Sequence, residues 1–146
     1  MTDRDPITVL LAEDDDGHAR LVEKNLGRVD LRCEFLRFRN GAETLEYLWQ
    51  VCPRNGHSNS PLVLLLDLNM PGTDGLTVLE KLRQDERTRT IPVIVLSTSH
   101  TSAEIRRCYE LGCNAYVTKP VDYAQFTNSI RQLAGFFTIV EFPDYR

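Results

Sequence analysis

Short apolar runs alternate five times with segments whose apolar residues recur every three or four positions. Leu62-Val63-Leu64-Leu65-Leu66 is an unbroken aliphatic run that stops at Asp67 and is followed at once by the turn signal Asn69-Met70-Pro71-Gly72. It is too short to span a membrane and reads as a strand buried on both faces, as in parallel sheets. Ile7 to Ala12 ends the same way in Glu13-Asp14-Asp15-Asp16. Ile91 to Leu96 ends in Ser97-Thr98-Ser99, and the short Ala115-Tyr116-Val117-Thr118 ends in Lys119-Pro120. Arg32 to Phe38 supplies the remaining strand.

Between these runs the period changes from two to 3.6. Asp16 is placed to cap a first helix bearing Ala19, Val22 and Leu26. A second helix runs from about Gly41 to Leu48, and Asp74 caps a third that carries Leu76, Val78, Leu79 and Leu82. Thr101-Ser102-Ala103-Glu104 has capping-box spacing and opens a fourth helix that stops near Gly112. Asp122 precedes a fifth, with Phe126, Ile130, Leu133 and Phe137 on one stripe. Strands alternating with helices of this length imply right-handed crossovers and an α/β fold, a doubly wound parallel sheet covered on both faces. Two segments stand outside that plan. Gln50 to Pro61, with His57, is a polar loop entering the third strand at the edge opposite Asp67. The tail from Phe136 to Pro143 is unusually apolar for a terminus.

Size and composition narrow the classes. A chain of 146 residues makes one domain, read here as residues 1–146 with a core of about 7–137 and an apolar extension over 138–146. Hydrophobic residues at 42% and charged ones at 26% describe a globular chain, not a disordered one. A formal charge of -4 argues against bulk DNA binding. No apolar stretch suits a membrane span and the charged N-terminus suits no signal peptide, so a cytoplasmic location is expected. The cysteines at 33, 52, 108 and 113 lack metal spacing, and His18, His57 and His100 are too scattered for zinc.

Candidate chemistry follows from where the strands end. Ligands of open α/β sheets sit at the carboxyl edge, which is where Glu13, Asp14 and Asp67 converge if the sheet is wound as read. Two carboxylates ~5 Å apart repel by about 3 kcal/mol even at an effective dielectric near 20. Lys119 supplies one positive charge against three negatives, and a divalent cation would match the remainder. All candidate ligands are oxygens, which favours Mg2+, with the backbone carbonyl of Asn69 placed to complete the shell. A carboxylate in such a site can attack phosphorus and hold an acyl phosphate, with Lys119 and the Ser97 hydroxyl on the phosphoryl oxygens. Taken singly, each of these residues has an ordinary reading. Asp15 and Asp16 read as capping or solvated residues, Lys119 as a surface lysine, Tyr116 as a packed edge aromatic; His18 lies near the acidic site, where it could tune loss of a phosphoryl group, but reads first as an exposed helix-start residue.

Together, Glu13-Asp14, Asp67 with Asn69-Met70-Pro71-Gly72-Thr73-Asp74-Gly75, Ser97-Thr98 and Tyr116-Val117-Thr118-Lys119-Pro120 resemble the receiver domain of two-component response regulators, from about Ile7 to Phe137. The resemblance implies five parallel strands in order 2-1-3-4-5 and phosphorylation of Asp67 by a histidine kinase. It implies Mg2+ held by Asp14 and Asp67, with Glu13 acting through water, and by the Asn69 carbonyl. It also implies a switch in which Ser97 turns toward the phosphoryl group and Tyr116 swings inward, changing the surface of the fourth helix, fifth strand and fifth helix. Such a protein is a signalling module that catalyses its own phosphorylation and dephosphorylation, not an enzyme with a separate substrate. The loop before the third strand, Cys108-Tyr109-Glu110-Leu111-Gly112 and the tail are similar to stand-alone regulators of bacterial phytochrome kinases. That subgroup implies a homodimer through the fourth-helix to fifth-helix face and the C-terminal extension. A phosphatase with an aspartyl nucleophile would want a second aspartate where Asn69 stands. A flavodoxin-like carrier would want a phosphate-cradling loop where Glu13-Asp14-Asp15-Asp16 would repel it.

Overall fold

The computed structural model describes residues 7–28, 32–52 and 61–142. Its elements follow in the order β1 (Ile7–Ala12), α1 (Asp16–Leu26), β2 (Cys33–Phe38), α2 (Gly41–Val51), β3 (Leu62–Asp67), α3 (Gly75–Gln84), β4 (Val93–Ser97), α4 (Ser102–Glu110), β5 (Ala115–Thr118) and α5 (Tyr123–Phe137). All strand pairs are parallel and the sheet order is β2-β1-β3-β4-β5. The unbroken apolar runs become the inner strands: β1, β3 and β4 are buried along their whole length. Edge strand β2 instead alternates between half-buried and exposed.

Strand pleating divides the core in two. Ile7, Val9, Leu11, Val63, Leu65, Ile94 and Leu96 face α1 and α5, where Val22, Leu26, Phe126, Ile130 and Phe137 meet them. Leu10, Leu62, Leu64, Leu66, Val93 and Val95 face α2, α3 and α4 through Leu45, Leu48, Val78, Leu79, Leu82 and Cys108. One sequence position separates the two sets, as the two-residue side-chain period of a strand requires. Cys52, Cys108 and Cys113 are buried, and burial pushes the Cys108 thiol up to about 11.

Several boundaries differ from those the pattern suggests. The first helix is capped by Asp15, whose side chain accepts from the His18 amide at 2.9 Å. Asp16 is therefore the first helical residue, and its carboxylate is left to pair with Arg37 at 2.8 Å and Arg39 at 3.0 Å. The fourth strand starts at Val93, two residues late, since Pro92 has no amide to donate and serves only as the acceptor for Leu64. The second helix continues to Val51. The expected stop at Gly112 holds: Leu111 caps α4 and Gly112 takes φ 103°, a left-handed conformation that glycine adopts without strain. Residues 53–60, including His57, and 143–146 lie outside the described residues.

The tail is less exposed than its composition suggests. Val140 and Phe142 pack on the α1/α5 side of the core, and the Phe142 ring meets Phe137 edge-on at 5.7 Å. Ile139 alone of the three points outward, 76% exposed, beside Phe136. No helix among the described residues is long and apolar enough to cross a membrane.

A close approach fixes the loop after β3. A β-carbon added to Gly41, at the start of α2, would lie 2.4 Å from the Thr73 carbonyl oxygen and 2.6 Å from Val78 Cγ2. Helix propensity alone would favour Gly41→Ala by ~1 kcal/mol. Overpacking reverses that sign, so urea denaturation of Gly41→Ala is expected to show a loss of about 1–3 kcal/mol. A gain in stability would overturn this account of the contact.

Candidate functional site

Parallel winding brings the ends of four strands to one rim. Ala12 lies opposite Leu66, Asp67 opposite Leu96, and Ser97 opposite Thr118, so Glu13, Asp14, Asp67, Ser97 and Lys119 leave the sheet at nearly one level. The adjacency of β1 and β3 at the middle of the sheet sets the carboxylates side by side. Glu13, Asp14 and Asp67 each offer an oxygen, and these atoms lie within 4.8 Å of one another.

Burial separates their roles. Glu13 is 1% exposed, Asp67 4% and Lys119 5%, whereas Asp14 faces solvent. The Lys119 ammonium contacts Glu13 Oε1 at 2.5 Å and stands 3.5 Å from Asp67 Oδ2. Glu13 Oε2 also accepts from the Asp15 amide at 3.2 Å, and the Asn69 amide donates to Asp67 Oδ1 at 3.2 Å. Lysine thus lies nearer to Glu13 than to Asp67. Desolvation, reinforced by a hydrogen bond with Glu13 and by its charge, pushes the Asp67 carboxyl up to about 7, with Lys119 and the Asn69 amide opposing. A buried carboxyl held that far above its ordinary range marks a site short of positive charge. The donor set fits a small hard cation: the three clustered side chains offer only oxygens, and one ammonium leaves their charge unmatched.

The hydroxyl and aromatic positions sit on the neighbouring loop. Ser97 is fully buried at the end of β4; its Oγ accepts from the Ser99 amide at 3.1 Å and donates to Glu104 Oε1 at 3.3 Å. The Tyr116 phenol donates to the Ser99 carbonyl at 2.7 Å, which directs it over the loop between β4 and α4. Desolvation raises its pKa.

Two contacts, those of Arg37 and Glu104, have no counterpart in the sequence reading, and a third gives His18 the place near the acidic site that the sequence suggests. Arg37, on edge strand β2, donates from Nε to the Glu13 carbonyl at 2.9 Å, fixing the backbone of the acidic loop. His18 stands with Nδ1 3.7 Å from Glu13 Oε1 and its ring edge-on to Phe126 at 5.3 Å, so it is part of the rim and not a solvent-facing residue. Glu104 faces Ser97 instead of closing its helix cap. The partners of Arg37 and Glu104 lie 24 and 7 residues away, beyond what a helix cap or strand period relates.

A doubly wound sheet in order 2-1-3-4-5 is a flavodoxin-like fold, here with an acidic rim and a buried lysine directly after the last strand. The response regulator receiver domain family matches residues 9–131, and the chain belongs to that family. It is similar to the response regulator Rcp1 of Synechocystis, 33% identical over 90% of this chain and 89% of that protein. The solved Mn(2+)-bound form of Rcp1 covers 94% of this chain and 99% of its own at a TM-score of 0.83. A receiver domain from Rhodospirillum rubrum is 39% identical, covering 94% and 98% of the two chains at a TM-score of 0.86. The phosphorylated cyanobacterial phytochrome response regulator RcpA is 31% identical, covering 95% and 99% at a TM-score of 0.84. The protein is a response regulator of two-component signalling, and phytochrome response regulators are among the proteins it is similar to.

The raised carboxyl makes stability depend on pH. A carboxyl whose pKa is higher in the folded than in the unfolded chain favours folding while protonated. That preference declines as pH climbs from about 4 and is gone above about 7. Asp67→Asn, measured by thermal and urea unfolding in EDTA, is therefore expected to gain on the order of 2–4 kcal/mol over the parent at pH 8. The gain should shrink to nothing below pH 4. A variant no more stable than the parent at pH 8 would show that the rim carries no excess of buried negative charge.

Proposed function

We propose that the chain is a phosphoacceptor of a two-component relay in which Asp67 receives a phosphoryl group from a histidine kinase. The observation that carries this reading is the convergence of Glu13, Asp14 and Asp67 around a buried Lys119. Among the three carboxylates, Asp67 is the fitting nucleophile. Glu13 is engaged by Lys119 and the Asp15 amide, and Asp14 lies in solvent, where a phosphoryl group would be unprotected. Asp67 has Oδ1 fixed by the Asn69 amide and Oδ2 turned toward the ammonium. Its carboxylate oxygen attacks phosphorus, the P–N bond to the donor imidazole breaks, and the imidazole leaves with the bonding electron pair.

Mg2+ would be held by Asp14 and Asp67, by Glu13 through water and by the Asn69 carbonyl, and when bound it would neutralise phosphoryl oxygens. Lys119 transfers its ammonium from Glu13 to a phosphoryl oxygen, and Ser97 donates its hydroxyl to another. Departure of Ser97 from its present place lets Tyr116 move, which alters the surface formed by α4, β5 and α5. Hydrolysis of the acyl phosphate by water would reset the protein, an autodephosphorylation intrinsic to the same site. A phytochrome-type histidine kinase is the proposed donor, supported by the likeness to the phytochrome response regulator RcpA, and the cytoplasm is the proposed location. The altered surface binds a protein partner or a second copy, not DNA or membrane. Exposed Ile139 and Phe136 beside the end of α5 support a homodimer that includes the extension over 138–146.

Incubation with Mg2+ and acetyl phosphate should add one phosphoryl group by intact mass, and the adduct should be absent in Asp67→Asn and in EDTA. An adduct that persists in Asp67→Asn would assign the acceptor elsewhere. For the dimer, Ile139→Asp places a charge at an exposed site without touching the core, so sedimentation velocity should shift from dimer toward monomer. An unchanged boundary would exclude Ile139 from the contact.

A further inference from the structure

The helix-cap sequence of α4 is only half used. Thr101 accepts from the Glu104 amide at 3.3 Å, the first bond of a capping box, but the Glu104 carboxylate does not return to the Thr101 amide. It accepts the Ser97 hydroxyl at 3.3 Å, while the Thr101 amide is left with a long 3.4 Å contact to Ser99 Oγ. A serine hydroxyl has one hydrogen, and here it is given to Glu104. The lone pairs of Ser97 Oγ are drawn in the same direction by the Ser99 amide at 3.1 Å. As placed, Ser97 cannot donate to an anion on Asp67 without first leaving Glu104.

We propose that Glu104 is a positioning residue for phosphoryl binding, whose carboxylate competes with the phosphoryl group for the Ser97 hydroxyl and, once released, closes the cap of α4 on the Thr101 amide. This deepens the reading that Asp67 takes the phosphoryl group and rests on it. Two acceptors compete for one donor, and two donors, the Ser97 hydroxyl and the Thr101 amide, compete for one carboxylate. Phosphorylation exchanges the pairs: Ser97 moves to the phosphoryl oxygen and Glu104 moves to Thr101. The exchanged bonds are unequal: Ser97 is buried and Thr101 exposed, so the contact given up outweighs the cap gained, and the Ser99 amide loses Ser97 Oγ as well. The consequence of the exchange lies at the first turn of α4, which is tightened only when the acidic site is loaded. Glu104 is half-buried on the first turn of α4.

The test uses beryllofluoride with Mg2+ as the phosphoryl analogue, read by fluorine NMR, on the full chain. Glu104→Ala should lower the half-saturating concentration about two- to tenfold, the worth of one net hydrogen bond, and Glu104→Gln by less, since the amide oxygen still accepts. In a Ser97→Ala background the Glu104→Ala change should have no effect. Hydrogen exchange supplies the second readout: the Thr101 amide should slow on beryllofluoride binding in the parent, and should already be slow in unliganded Ser97→Ala. An equal Glu104→Ala shift in both backgrounds, or none in the parent, would overturn the competition while leaving the phosphoacceptor reading standing. Failure of the parent to bind beryllofluoride would remove both.

Discussion

The arrangement depends on an imbalance of buried charge. Glu13 and Asp67 are both taken out of water within reach of a single ammonium, and that ammonium sits closer to the glutamate. Burying a carboxylate without a full partner is costly, and the chain answers by holding the Asp67 proton to about pH 7. Such a carboxyl is ready to give up its proton to any group that brings positive charge to the rim. The same excess of buried negative charge that would draw a cation to this edge also weighs against the fold at high pH.

The surrounding structure exists to keep that imbalance in place. Strand ends alone would let the loops drift, and close backbone approaches prevent it. A β-carbon on Gly75 would meet the Asp67 carbonyl oxygen at 2.6 Å and Leu68 Cα at 2.7 Å, so α3 begins pressed against the strand end that carries the carboxylate. On the other side Arg37 ties the Glu13 carbonyl to edge strand β2 and pairs with Asp16. Lys119 is held by its amide, which donates to the Ser97 carbonyl at 2.6 Å, so the ammonium and the hydroxyl share one backbone frame. The rim is rigid where charge must be positioned. Beside it, Ser97, Glu104 and Tyr116 are joined to their neighbours by single hydrogen bonds.

Much of this arrangement is legible in the order of amino acids alone. Unbroken aliphatic runs marked the inner strands because both faces of a parallel sheet are covered, and a carboxylate directly after such a run can only lie at the rim. The helix caps at Asp74, Thr101 and Asp122 were legible because a cap acts over three residues. The cap of α1 fell one residue early, at Asp15, since three successive aspartates give the local signal no preference. The apolar tail suggested an uncovered surface, yet Val140 and Phe142 fold onto their own core. Hydrophobicity records that a residue seeks cover, not which surface supplies it.

The sequence by itself determined the element order, the parallel sheet and the set of side chains at its carboxyl edge, because these follow from side-chain period and from the place where each apolar run stops. Tertiary structure decided the pairings among those side chains. That Lys119 leans on Glu13, that Arg37 holds the acidic loop, and that Glu104 takes the Ser97 hydroxyl are contacts between different strands and helices. Such contacts turn on distances of a few tenths of an ångström and on which of two acceptors wins a single hydrogen. Periodicity along a chain carries no information about either.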